Sequence, residues 1–152
     1  MIKLLVMDVD GTLTDGKIYI GSQGEAVKAF NVKDGYAIGV ILPQIGITPC
    51  IITGRKSEIT EQRCKELNIK LLYQGIHDKL PQLKEVVSDL KIDMSEVAYI
   101  GDDLNDLEVM QQCGYVGCPK DAVQEIKQVA HFVSAYNGGN GAVRGFIETL
   151  NK

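Results

Sequence analysis

A chain of 152 residues has the length of one domain with one hydrophobic core, long enough to bury roughly two thirds of its unfolded surface without a disulfide. With 45% hydrophobic and 24% charged residues its composition is that of an ordinary soluble globular protein and excludes disorder as its main character. The formal net charge of -4, with no run of Lys or Arg, removes any general attraction to nucleic acid or an anionic membrane, so an anionic ligand has to be held by local groups.

In chain order, the apolar run from Ile2 to Met7 is too short for a signal segment or a membrane span, which predicts a cytoplasmic protein. Leu4 to Val9 suits a buried strand that ends in polar groups. Lys17 to Ile20 and Ala26 to Phe30 flank the turn-rich Gly21-Ser22-Gln23-Gly24, which predicts a β-hairpin over about 17–30, inserted after the first strand. A helical pattern over Ala37 to Ile45 precedes a second strand, Thr48 to Thr53. Glu58 to Leu67 follows as a helix with Ile59, Cys64 and Leu67 near one face. Leu71 to Tyr73 reads as a weaker strand and Leu80 to Leu90 as a helix. Val97 to Ile100 is a third buried strand, Leu104 to Gln112 a helix, and Tyr115 to Val116 and His131 to Val133 are weaker strands. The Gly-rich stretch Asn137 to Gly141 is expected to be a flexible loop. Cys50, Cys64, Cys113 and Cys118 form no C-x-x-C pair and read as reduced, mostly packing thiols. The alternation of strand and helix predicts an α/β, Rossmann-like fold, a mainly parallel sheet with helices on both faces and right-handed crossovers, carrying the inserted hairpin.

In such a sheet ligands bind outside the carboxyl ends of the strands. The first strand delivers Asp8 and Asp10 there. The second delivers Thr53, Gly54 and Arg55, and the third Asp102 and Asp103, with Asp106 a turn further on. Any one Asp-Gly by itself reads as a turn or cap. Several carboxylates in one mouth resist joint ionisation unless a cation neutralises them, and oxygen donors without nearby His or Cys suit Mg²⁺. A carboxylate nucleophile with a second carboxyl two residues away splits phosphoester hydrolysis into two transfers, the second group serving as acid and then base.

DVDGTLTDG, IITGR, Lys79 within HDKLPQL, and GDDLND resemble, in that order, the four motifs of the haloacid dehalogenase superfamily. The resemblance implies a magnesium-dependent phosphomonoester hydrolase. Asp8 would be the nucleophile that forms an aspartyl-phosphate, and Asp10 the acid and base. Mg²⁺ would be bound by Asp8, Asp102 and the Asp10 carbonyl, while Thr53, Gly54 and Lys79 would hold the phosphoryl oxygens. Asp103 and Asp106 either orient metal-bound water or Lys79, or stabilise a helix N-terminus.

Only 23 residues separate Asp10 from Asp34 and 22 separate Arg55 from Asp78, which leaves no room for a cap domain. DGTLTDGKIYI, FNVKDGYAI, ITGRKSEI, VAYIGDDLND and NGGNGAVRGF resemble the capless branch of the superfamily that acts on phosphorylated 3-deoxy sugar acids. That implies one domain over 1–152, an eight-carbon (octulosonate 8-phosphate) or a nine-carbon (nononate 9-phosphate or acylneuraminate 9-phosphate) substrate, and a homotetramer with active sites shared between subunits. Arg55 follows the eight-carbon pattern and, with Arg144, is a candidate contact for the sugar acid. Gly145 stands where the branch usually has Glu. His77 and His131 lack metal-ligand spacing; His77 is expected near the mouth and His131 to pack. Tyr36 would touch the sugar acid or lie in the core. Two rivals share these parts. A response-regulator receiver carries its acidic pair on the first strand and its phosphoacceptor later, the reverse of the order here. A regulatory copy, as appended to acylneuraminate cytidylyltransferases, can lack part of the motif set, which is filled here.

Overall fold

In the computed structural model, which describes residues 1–151, Leu4–Met7 (β1) is flanked by Thr48–Ile52 (β4) and Val97–Ile100 (β6), with Leu4 opposite both Thr48 and Val97. Leu71–Tyr73 (β5) extends one side of this parallel sheet, and Tyr115–Cys118 (β7) and Phe132–Val133 (β8) extend the other, giving the order β5-β4-β1-β6-β7-β8. Chain progression therefore reverses at β1. The crevice produced by that reversal opens at the carboxyl ends of β1, β4 and β6.

The continuous apolar run of β1 is explained by burial on both faces. Leu5 and Met7 enter one core with Ala37, Ile38, Leu42, Cys64 and Phe146. Leu4 and Val6 point the other way, into a core with Leu83, Val86, Val109 and Ile126. The first face is covered by Val32–Tyr36 (α1), Leu42–Gln44 (α2), Glu58–Leu67 (α3) and Ala142–Leu150 (α7); the second by Lys79–Leu90 (α4), Leu107–Met110 (α5) and Gln124–Val129 (α6). Helices on both faces are thus found as expected, and the bounds of β5, β6 and α3 coincide with the sequence reading.

Three departures have physical causes. The first helix begins at Val32, because the Asn31 side chain caps it by accepting from the amides of Lys33 and Asp34. Between α1 and α2 the turn widens into a π-helical stretch, Ala37–Ile41, in which the Leu42 amide bonds back to the Ala37 carbonyl. Pro43 accounts for it: a proline lacks the amide donor and its ring would press on the carbonyl four residues earlier, so the wider turn relieves both. The third departure is at the end. Residues 137–141 are not a free loop, and α7 packs Val143, Phe146 and Ile147 without exposure. Phe146 stacks on Tyr115 with centroids 5.3 Å apart, and burying such a side chain contributes about 1.5–3 kcal/mol. Gly145, where the branch usually has Glu, sits in this helix beside Ser134 and Tyr136.

The inserted hairpin consists of Tyr19–Gly21 (β2) and Gly24–Val27 (β3), shorter than the expected span. Ile18, Ile20 and Val27 are exposed, as an inserted hairpin on a single copy leads one to expect, and so is Tyr19. Phe30, at the end of the expected hairpin span, is not exposed with them but packs against the core and lies under the Arg63 guanidinium. Among the described residues no helix is long and apolar enough to cross a membrane.

Candidate active site

Asp8 leaves β1 with its amide bonded to the Ile100 carbonyl at 3.2 Å, which anchors the first motif to the neighbouring strand. The chain then coils tightly: the amides of Thr12, Leu13 and Thr14 all turn back to the Val9 carbonyl, and the Thr14 hydroxyl accepts from Gly11 and Gly16. Glycine at position 11 is required twice over. Its φ is +91°, and a Cβ there would lie 2.0 Å from a carboxylate oxygen of Asp102. The strand that carries the fourth motif can therefore press its acid directly on the first motif. The Thr12 hydroxyl donates to the other Asp102 oxygen at 3.0 Å.

Lys79 opens α4 and is 2% exposed. Its ammonium lies 3.2 Å from Asp8 Oδ1 and 2.8 Å from Asp106 Oδ1. Asp106, wholly buried, also accepts from the Tyr99 hydroxyl at 2.6 Å and, through Oδ2, from the Asp102 amide at 3.2 Å. Of the two acids whose part was open, Asp106 is the one bonded to Lys79. Asp103 instead caps the turn after β6 by accepting from the Leu104 amide, and no ion pair joins it to Lys79 among the described residues. Tyr99 was missed by sequence reasoning because within the apolar run of β6 it reads as core.

Carboxylate oxygens of Asp8, Asp102 and Asp106 lie within 4.8 Å of one another. Burial, followed by the Asp106 charge, raises Asp8 to about 6 against the pull of Lys79. Burial, then the charges of Asp8 and Asp106, raises Asp102 to about 8. Three crowded oxygen donors with no His or Cys are the environment a hard divalent cation relieves. Both oxygens of Asp106 are committed to protein donors, which leaves Asp8 and Asp102 as the carboxylates free to hold it.

A cleft of about 300 Å³ lies over these groups, lined by Asp8, Asp10, Thr53, Gly54, Arg55, Asp103, Leu104 and Asn105. Thr53 is fixed by its amide to Tyr73 and its carbonyl to the Ile76 amide. Residues of the first, second and fourth motifs thus line one cleft, while Asp102, Asp106 and Lys79 do not line it and meet it through Asp8. Arg55 is half exposed at the rim, 3.9 Å from Asp10 and from Glu25. The hairpin adds two residues that sequence reasoning did not select. Lys28 bonds Asp10 Oδ1 at 2.6 Å and Glu25 at 2.9 Å, with only 3% of its side chain exposed.

Arg144 is not brought to the cleft of its own chain. Its amide donates to Asp34, its guanidinium pairs with Glu148 and lies over Tyr36, which is 55% exposed rather than core. The segment before it clasps the first motif: the Gly139 amide bonds the Thr12 carbonyl, and the Gly138 amide bonds Asp121. His77 is exposed beside Lys79 in sequence; His131 accepts from the Val116 amide and stacks on Tyr115, a packing role as expected.

Comparison with known proteins agrees with this geometry. Residues 71–146 match the model of the haloacid dehalogenase-like hydrolases. The chain is 47% identical over 149 residues to the 3-deoxy-D-manno-octulosonate 8-phosphate phosphatase of Yersinia pestis, covering 98% of this chain and 79% of that one. The corresponding phosphatase of Moraxella catarrhalis, solved with magnesium, phosphate and a KDO molecule, superposes with a TM-score of 0.94 at 42% identity, covering 98% of this chain and 85% of that one. A cobalt-bound phosphatase of the same kind from Haemophilus influenzae gives 0.94 at 34% identity, covering 98% and 86%. With the motifs converging on one cleft and relatives this similar across nearly the whole chain, the protein belongs to the haloacid dehalogenase-like hydrolase family.

Proposed function

We propose that the chain is a magnesium-dependent phosphatase that hydrolyses 3-deoxy-D-manno-octulosonate 8-phosphate to the free sugar acid and phosphate through an aspartyl-phosphate on Asp8. The observation that carries this reading is the buried Lys79 ammonium 3.2 Å from Asp8, inside a cluster of carboxylates at the carboxyl ends of the strands. The names of the relatives point to the substrate.

In the first half-reaction an Asp8 oxygen bonds to phosphorus as the ester P–O bond breaks, and the departing oxygen takes the proton carried by the Asp10 carboxyl. In the second, Asp10 takes a proton from water as the water oxygen bonds to phosphorus. The P–O bond to Asp8 then breaks, releasing phosphate. Thr53, the Gly54 amide and Lys79 hold the equatorial oxygens as charge shifts between them. Asp8, Asp102 and the Asp10 carbonyl would hold a Mg²⁺ ion, which would supply the positive charge that lets two acids approach a phosphate dianion.

We read the chain as one capless, cytoplasmic domain. The only insertion between Asp10 and Asp34 is the hairpin, whose exposed Ile18, Ile20 and Val27 suit contact with a second copy. A homotetramer with cleft walls from neighbouring subunits would cover the site, with Arg55 at the rim gripping the sugar carboxylate, and Arg144, with Tyr36 beneath it, serving a neighbour rather than its own cleft.

Phosphate release from a panel of sugar phosphates tests the reading. Turnover of the eight-carbon acid at least about tenfold above the nine-carbon acids and simple hexose phosphates is expected, since a misfit of a single carbon unit discriminates by about 10–200-fold. No release from any sugar-acid phosphate would refute it.

A further inference from the structure

The Lys28 side chain is almost wholly withdrawn from solvent, and nothing in the hairpin requires it to be. At the end of a short two-stranded ribbon a lysine ordinarily snorkels into water. Here the ammonium is withdrawn to 3% exposure and held by two carboxylates, Glu25 of β3 at 2.9 Å and Asp10 at 2.6 Å. Burying an ammonium costs free energy unless it is paired on the inside. The fold has therefore used the carboxylate of its proposed acid and base as one of the pair. A lysine serving only to close the ribbon would need Glu25 alone.

We propose that Lys28 is a positioning residue for proton transfer at Asp10. This rests on the reading of Asp10 given above. Nζ donates to Oδ1, and it can do so whether Asp10 is ionised or neutral, since the carbonyl oxygen of a protonated carboxyl still accepts. The proton of the neutral form is thereby assigned to Oδ2. That oxygen lies 3.9 Å from the Arg55 guanidinium at the cleft rim. Lys28 thus selects which Asp10 oxygen faces the departing and entering groups, and it fixes the rotation of the carboxyl about its own axis. The hairpin, otherwise remote from the phosphoryl group, becomes part of the acid–base apparatus.

Protonation of the departing oxygen matters for an alkoxide and scarcely for a nitrophenolate, so leaving-group dependence separates this role from a structural one. The experiment measures kcat/KM, which reports through departure of the leaving group, for p-nitrophenyl, phenyl and ethyl phosphate. Parent, Lys28→Met and Asp10→Asn are compared in saturating Mg²⁺. Full loss of acid catalysis costs roughly 10²–10⁴-fold. Lys28→Met, which keeps the stem and deletes the charge, is expected to lose about 10–100-fold on ethyl phosphate and less than about threefold on p-nitrophenyl phosphate, in the same direction as Asp10→Asn. None of these esters carries a carboxylate, so a lost sugar-acid contact cannot mimic the pattern. A uniform loss across the series, or no loss, overturns the role of Lys28. If Asp10→Asn shows the split and Lys28→Met does not, only the present inference fails; if neither does, the reading of Asp10 fails with it.

Discussion

Replacing Asp106 with Asn tests whether the network beneath the cleft is what aims Lys79. The carboxylate accepts three bonds without exposure, from Lys79, Tyr99 and the Asp102 amide. An amide has one acceptor oxygen. If that oxygen keeps Lys79 and Tyr99, the new NH₂ faces the Asp102 amide, donor against donor. The charge-assisted component of the Lys79 bond contributes about 1.5–3 kcal/mol and an orphaned buried amide costs about 1–3 kcal/mol. Against this, removing the Asp106 charge relieves part of the repulsion that raises Asp8 and Asp102, an offset of about 1 kcal/mol for a pair about 4 Å apart screened by the water of the cleft above Asp8. The net expectation is a loss of about 2–4 kcal/mol, or roughly 5–15 °C in Tm for a chain of this size. Urea unfolding followed by circular dichroism in EDTA measures it. Turnover by the folded variant in Mg²⁺ should fall about 10–100-fold, as for other groups that orient a charged ligand. A stability change under about 1 kcal/mol, or a destabilised variant with parental kcat, would refute the account of Asp106 as the group that orients Lys79.

Asp8→Asn should abolish turnover of every phosphomonoester while leaving the circular dichroism spectrum unchanged, because the amide keeps volume but is a poor nucleophile; activity within about tenfold of the parent would sink the nucleophile assignment. EDTA should stop turnover and added Mg²⁺ restore it, with persistent activity in metal-free buffer counting against the cation. Stability of the metal-free protein should decline as pH rises through about 6 and about 8: the folded-state values of Asp8 and Asp102 stand above the ordinary 3.8, so the folded form binds more protons than the unfolded form across that window. The gain in Tm on adding Mg²⁺ should therefore grow from pH 5 to pH 8, and a gain that does not change with pH would contradict the crowded-carboxylate picture. Gly138→Ala would place a Cβ 1.9 Å from the Gly11 carbonyl oxygen; it should destabilise by about 1–3 kcal/mol and lower kcat, whereas unaltered turnover would show that residues 137–141 do not shape the first motif.

The parts of this molecule legible in the sequence are those governed by short-range pattern. Val97–Ile100 and Glu58–Leu67 carry their period in their own residues and end at punctuation that the chain itself supplies: Ser57 caps the helix start and Asn68, at φ +59°, closes its end. The convergence of Asp8, Thr53 and Asp102 was readable because a parallel sheet sends every strand end to the same edge. What could not be read depends on partners far along the chain. Lys28 in a hairpin looks like any solvated lysine until the fold brings Asp10 to it. Tyr99 looks like core until Asp106 turns beneath it. The apolar spacing of Ala142, Val143, Phe146, Ile147 and Leu150 is helical, but Gly145 within it and three glycines just before it hide the signal. Those glycines read as slack, and their actual purpose is contact, since a Cβ at Gly138 would overlap the backbone of the first motif.

The clasp of Gly139 on Thr12 has a consequence for the order in which a newly made chain matures. The carbonyl of Thr12, four positions beyond Asp8, finds its partner only when residue 139 has been made. Strands β1, β4 and β6 can pair earlier, since their partners precede that point. At synthesis rates of about 5–20 residues per second, the loop carrying Asp8 and Asp10 waits several seconds beside a sheet that is already forming. A nascent chain of this protein therefore holds Asp8 and Asp10 in an unclasped loop until residue 139 docks, so closure of the first motif is a late step in its maturation.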